Sequence, residues 1–120
     1  MEVLPLKKVH EANVAAEAYR MLTELGYSVL LQYECMTYDG KQCYLDMVLI
    51  IDNHVELIVE FKNLINYPHQ SGQLSKIVSD PQLIKYLSLG PPVYLCNGFE
   101  SILELVEFIL LNYPINGPQN

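Results

Sequence analysis

Positive charge is scarce in this chain. Seven lysines and arginines stand against fourteen aspartates and glutamates, a net charge of −7. That balance argues against a broad basic surface for nucleic acid. Cysteine is scarce as well. Cys35, Cys43 and Cys96 are odd in number and have no CxxC spacing, so neither a disulfide framework nor a zinc site is indicated. Cys35 and Cys43 flank a predicted hairpin turn and are expected to sit opposite each other. Long apolar runs are lacking: the longest candidates, Met47 to Ile51 and Phe108 to Leu111, fall far short of the roughly 18 residues of a membrane helix. No membrane partner is therefore expected. Met1 to Lys8 has no long apolar stretch of the signal-peptide kind, and a cytoplasmic location is expected. There is no internal repeat, low-complexity tract or linker, and 120 residues suit one domain, 1–120, with a core over 9–112 and a frayed tail over 113–120.

What the chain does have is apolar content, 51% of residues with a mean hydropathy of +0.15, enough for a real core. Val14, Ala15, Ala18, Leu22 and Leu25 recur at helical spacing, and Gly26 stops that helix. Tyr27 to Cys35 reads as a strand, Tyr38 to Lys41 as a turn around Gly40, Tyr44 to Asp52 as a second strand, and Val55 to Lys62 as a third after a turn at Asn53-His54. Asn63 to Gly72 is polar and reads as a loop; helical signals return from about Gln73. Asp80-Pro81 looks like an N-cap with proline at the first helical position, opening a helix to about Leu89. Val93 to Cys96 is a short buried strand, Asn97-Gly98 a turn, and Phe99 to Asn112 an apolar helix. The expected order is α-β-β-β-α-α-β-α: an α/β domain with a central mixed four-stranded sheet, its last strand arriving by a helical crossover.

Asp46 is the most informative residue. It interrupts a strand that is apolar on both faces, where an ionised carboxylate costs several kcal/mol unless paired or bound to metal. Across the hairpin, Glu60-Phe61-Lys62 ends the third strand, and period two places Glu60 and Lys62 on one face. A tight turn near Asn53 brings Glu60 opposite or diagonal to Asp46. Two carboxylates and an ammonium then converge, a grouping that suits Mg²⁺. The alternation of Glu56, Ile58, Glu60 and Lys62 with Leu57, Val59 and Phe61 is also that of an ordinary solvated strand face. His10, His54 and His69 have no ligand spacing with one another or with a cysteine. The loop Tyr67 to Gln70 is within reach of a nucleic acid or is simply a connection.

Asp46 with Glu60-Phe61-Lys62 resembles the motif of the PD-(D/E)XK nucleases, of restriction-endonuclease-like fold. Leu25-Gly26-Tyr27, the Gly40 turn, Gln82-Leu83-Ile84-Lys85-Tyr86 and Tyr94-Leu95-Cys96-Asn97-Gly98 fall in the order of the nuclease domain at the N-terminus of type I restriction enzyme motor subunits. The similarity covers about residues 10 to 100 and departs at Leu45, where many members have proline or arginine. The resemblance implies a Mg²⁺- or Mn²⁺-dependent nuclease that hydrolyses phosphodiester bonds in DNA. By the same resemblance, Asp46, Glu60 and the Phe61 carbonyl bind metal, Lys62 acts on the attacking water, and Gln82 lies near the site, its alternative being a surface residue. Many members add a glutamate from the first helix: Glu11 is preferred over Glu17, because it shares the face of Val14 and Ala18.

The rival expectation is a non-catalytic relative, a nuclease-like fold acting as an interaction subunit of a larger complex. The acidic balance favours it. A plain α/β scaffold with an accidental motif is a third reading. A basic rim from Lys41, Lys62, Lys76 and Lys85 would support DNA. A homodimer is expected through an apolar stripe of Phe99, Leu103, Val106 and Leu110.

Overall fold

A computed structural model describes residues 6–37, 39–64, 70–74 and 80–115, with side chains from His10 onward. Its elements are α1 (Leu6–Glu24), β1 (Ser28–Met36), β2 (Gln42–Ile51), β3 (His54–Lys62), β4 (Gly72–Gln73), α2 (Pro81–Leu87), β5 (Val93–Asn97), a 3-10 turn (Phe99–Ser101) and α3 (Ile102–Asn112). The sheet is mixed and five-stranded, in the order β1-β2-β3-β5-β4, with helices against it. β1, β2 and β3 form an antiparallel meander. β5 joins β3 in parallel, after the crossover through α2.

The fifth strand corrects the four-stranded expectation. Gly72 and Gln73, which read as a loop end and a helix start, pair antiparallel with the outer edge of β5, and the Leu74 N–H donates to Val93 O at 2.8 Å. Two residues are too few for a periodic signal; the pairing comes from the open edge they meet. Residues 75–79, over which an extra helix is expected, lie outside the described residues, as do Tyr38, Lys76, His69 and the rest of 65–69. α2 stops at Leu87, short of the expected Leu89, with Ser88 as its C-cap.

α1 buries Val14, Ala18 and Leu22 completely. It ends because Gly26 takes φ +100°, so that the Gly26 and Tyr27 N–H groups turn back to the carbonyls of Thr23 and Leu22, both at 3.0 Å. One face of the sheet carries Met47, Leu49, Leu57, Val59 and Phe61 against α1 and α3. The other carries Val48, Ile58 and Val93 with Tyr86 of α2. Burial on both faces explains why the middle of β2 reads as an unbroken apolar run.

Two further expectations change. Tyr113, expected in a frayed tail, is docked: its ring packs edge-on to Phe108 and its hydroxyl donates to Glu56 O at 3.4 Å. Residues 116–120 lie outside the described part. On α3, Val106 is buried, so the exposed stripe is Phe99, Leu103 and Leu110, joined by Leu111. Among the described residues, no helix is long and apolar enough to cross a membrane.

In the β1–β2 ladder Cys35 pairs with Cys43. Their sulfurs lie 3.0 Å apart as free thiols, and Cys96 is fully buried elsewhere. Mild oxidation with diamide should link Cys35 to Cys43, with the loss of two hydrogens by mass spectrometry and Cys96 left as thiol. The link closes a short loop and should stabilise the domain by about 2–3 kcal/mol. A Cys96-containing bridge, or none, would mean a different β1–β2 register.

Candidate functional site

The β2–β3 register decides which side chains meet. Asp52 and Asn53 both take positive φ, 51° and 66°, a two-residue hairpin turn of the type that suits sheet twist. That turn pairs Ile51 with His54 and Ile50 with Val55. Carried on unbroken, this register would set Asp46 beside Val59. Instead it shifts between Leu49 and Ile50, so that Leu49 faces Leu57 and Met47 faces Val59. Glu56 is the extra residue of the bulge. Met47–Val59 is the last pair of the ladder, and the next residues on the two strands, Asp46 and Glu60, meet through their carboxyl groups. A single-residue slip would exchange that pairing for a carboxylate against valine.

Past this point the carboxylate of Asp46 takes over from the backbone ladder. Its Oδ2 accepts the Phe61 N–H at 2.9 Å. The Phe61 peptide therefore touches the site through its N–H. Glu60 is only 2% exposed, and its Oε1 has no hydrogen-bond partner. Burial pushes the Glu60 carboxyl far up, to about 10, helped by its hydrogen bond with Asp46 and by the Asp46 charge, and opposed by Lys62. The ion pair from Lys62 Nζ to Glu60 Oε2 is long, 3.9 Å. One distant ammonium does not offset the lost hydration, so the protonated form prevails when no cation is bound.

Lys62 is held from several directions. Its Nζ lies 4.0 Å from Asp80 Oδ2 and donates to Gln82 Oε1 at 3.4 Å. Asp80 also caps α2 by accepting the Gln82 N–H at 2.9 Å. Gln82 Nε2 donates to the Tyr86 hydroxyl at 2.8 Å, and that hydroxyl donates to Tyr44 O at 3.0 Å. Burial first, and then the nearby Glu60, push the Tyr86 phenol well up, so it stays a donor. The Lys62 backbone is fixed too, its carbonyl accepting the Gly98 N–H at 2.8 Å. Asn97 closes the following loop with bonds to both the N–H and the carbonyl of Leu64.

A cavity of about 490 Å³ opens beside these groups, lined by Glu11, Ala12 and Ala15 of α1, Gln32 and Tyr44, Asp46, and Gln82 of α2. Glu11 Oε2 is buried and without a partner. Glu17, the alternative from the same helix, is instead in a surface ion pair with Arg20 at 2.7 Å. The structure thus gathers Asp46, Glu60, Lys62, Gln82 and Glu11, and leaves Glu17 apart. His10 sits on α1 and His54 at the start of β3, both away from this cavity's lining.

Sequence reasoning misses three contributors. Asp80 reads only as a cap. Tyr44 gives no signal beyond strand propensity. Gln32 carries a left-handed backbone, φ 52°, in mid-strand, where glutamine gives no warning. At Gln32 and Asp46 both strands change face: Val29, Met47 and Leu49 pack with α1, whereas Tyr33, Cys35, Cys43 and Leu45 pack towards α2. This crossover explains why Asp46 shares a cavity with residues of both helices.

The donors fit a hard cation: all are carboxylate oxygens, and two of them are buried without a partner. Among the described residues no three histidine, cysteine or acidic side chains stand in metal-holding geometry. The fit is accordingly to an ion taking two carboxylates and completing its shell with water, as Mg²⁺ does. Compared with known families, curated proteins and solved structures, the chain matches none of them.

The raised Glu60 carboxyl sets the sign of a pH effect. Between its ordinary value of 4.5 and about 10, the folded protein holds a proton that the unfolded chain has released. Stability of the metal-free protein should therefore fall as pH rises through that window. Glu60→Gln, which keeps shape and stays neutral, should remove this component of the slope. Equal slopes in chemical denaturation from pH 5 to 9 would show that Glu60 is ionised in the fold.

Proposed function

We propose that this domain is a metal-dependent nuclease of restriction-endonuclease-like fold, hydrolysing phosphodiester bonds in DNA. The observation that carries the proposal is the opposed Asp46–Glu60 pair, one member buried with an unpartnered oxygen, beside a lysine two residues along the same strand. A buried acid pair of this kind is costly to a fold and is expected where function requires it. The α/β sheet with its antiparallel meander and parallel crossover strand is compatible with the proposed fold, as is the chain order of Asp46, Glu60, Lys62 and Gln82.

Asp46 and Glu60 would hold Mg²⁺ or Mn²⁺, with water completing the shell and Glu11 on the cavity wall positioned to accept from such a water rather than to bind the ion itself. The bound ion would lower the pKa of a water and neutralise charge on a phosphate. Lys62 orients the attacking water and counters the negative charge that develops as oxygen adds to phosphorus and the ester P–O bond breaks. Gln82 and Asp80 keep the Lys62 ammonium at the mouth of the cavity. Tyr86 holds β2 in place through the Tyr44 carbonyl. The products are a phosphate monoester and an alcohol.

A second reading has its own observation. Phe99, Leu103, Leu110 and Leu111 are all between 43% and 82% exposed on one terminal helix segment, and that suits an interaction subunit, or a homodimer in which two copies share the stripe. The deciding experiment is cleavage of plasmid and linear DNA with Mg²⁺ or Mn²⁺. Wild type should nick or linearise DNA. Lys62→Ala should lose about 10²–10⁴-fold in rate while keeping its melting temperature and its metal-induced stabilisation. Wild type without cleavage, sedimenting as a dimer that Leu103→Glu splits, would hand the function to the interaction reading.

A further inference from the structure

Four basic side chains lie among the described residues: Arg20, Lys41, Lys62 and Lys85. Arg20 is taken up by Glu17 and Glu24, each at 2.7 Å, and Lys62 by the site above. The other two, in a chain of net charge −7, line one cavity of about 320 Å³ together with Thr37, Asp39, Pro81, Ile84 and Ser88. It lies between the β1–β2 turn and α2, and neither lysine makes an ion pair among the described residues.

The hydroxyls of this cavity are committed locally. Thr37 donates to Asp39 and Ser88 to Lys85 O. The Asp39 carboxylate accepts from Thr37, which keeps it ionised below the usual range, and from the Lys41 N–H. It stays ionised, so the cavity's ammonium groups outnumber its carboxylates two to one. The cavity therefore offers two ammonium groups on one side and the apolar edges of Pro81 and Ile84, the latter half exposed, on the other. That pairing of cation and apolar wall is the chemistry of a sugar–phosphate unit.

Lys85 follows Gln82 by three residues, so the two are neighbours on the surface of α2, about one turn or 5 Å apart along its axis. Gln82 in turn receives Lys62 Nζ. We propose that the Lys41–Lys85 cavity is a subsite for the sugar–phosphate backbone of a DNA strand, flanking the phosphate at Lys62. The choice of DNA as ligand rests on the nuclease reading. The geometry suggests how an acidic protein holds a polyanion: among the described residues, Lys62, Lys85 and Lys41 form one track along α2 and the β1–β2 turn.

The test is fluorescence anisotropy with a labelled DNA duplex in EDTA, so that binding is read without hydrolysis. Lys41→Ala and Lys85→Ala should each weaken binding several-fold and each flatten the dependence of log K on log salt by about 0.9. Lys85→Arg should restore binding, and Arg20→Ala, which removes the same charge outside the cavity, should leave it unchanged. Melting curves verify that each variant folds. An equal loss in Arg20→Ala would mean that net charge alone matters, and would overturn the subsite. So would unaltered binding in both lysine variants, or no binding by wild type. Lysine-dependent binding by a protein that never cuts DNA would keep the subsite and remove the nuclease reading.

Discussion

The bulge at Glu56 is the constraint on which the candidate site depends. Two residues of positive φ at Asp52 and Asn53 set one register, and the extra residue resets it before the strands reach Asp46. The consequence is a carboxylate facing a carboxyl in a sheet whose neighbouring positions, Met47, Val48, Val59 and Phe61, are almost wholly buried. Hydration is gone from Glu60, the Lys62 ammonium is nearly 4 Å away, and one oxygen is left without a partner. Apolar packing on both faces supplies the stability that such a pair gives up. The helices then frame what the strands have placed: α1 contributes Glu11 and α2 contributes Gln82 and the Asp80 cap.

Connections among these parts are short and backbone-anchored. Asp46 is fixed by the Phe61 N–H, Lys62 by the Gly98 N–H on its carbonyl, and Tyr86 by the Tyr44 carbonyl. Two of these bonds join neighbouring strands and α2 directly, and the third comes from the tight turn that follows β5, so the arrangement is preorganised by the sheet and its immediate flanks. Gln32 stands apart as a strained residue. Its left-handed backbone lies opposite Asp46, where β1 and β2 change faces, and strain of this sort persists only when the surroundings over-determine it.

Much of this is legible in the residues, and the illegible part has physical causes. Period-three and -four spacing in α1, the Gly26 stop and the Asp80-Pro81 start are local signals, and the structure places α1 and α2 accordingly. Asp46 stands out because a charge inside an apolar strand is costly unless it is paired or holds an ion. Whether Glu60 or Val59 faces it is not legible, since the bulge depends on packing along the whole hairpin. β4 is invisible because two residues carry no period. Val106 reads as surface because a helix apolar on most sides does not declare which stripe faces the sheet; the sheet chooses. Asp80 reads as a cap, and its second partner, Lys62, is distant in sequence.

The proposed cation site at Asp46 and Glu60 brings together charge that the metal-free fold tolerates poorly. Thermal unfolding of wild type and Asp46→Asn, each with EDTA and with millimolar Mn²⁺, tests it directly. In EDTA the Asn variant should melt a few degrees higher, relief of about 0.5–2 kcal/mol. Mn²⁺ should raise wild type by mass action and leave the variant nearly unmoved, so that the order narrows or reverses. A destabilised Asp46→Asn, with neither protein responding to Mn²⁺, would make Asp46 a structural acceptor for the Phe61 N–H and contradict the metal site.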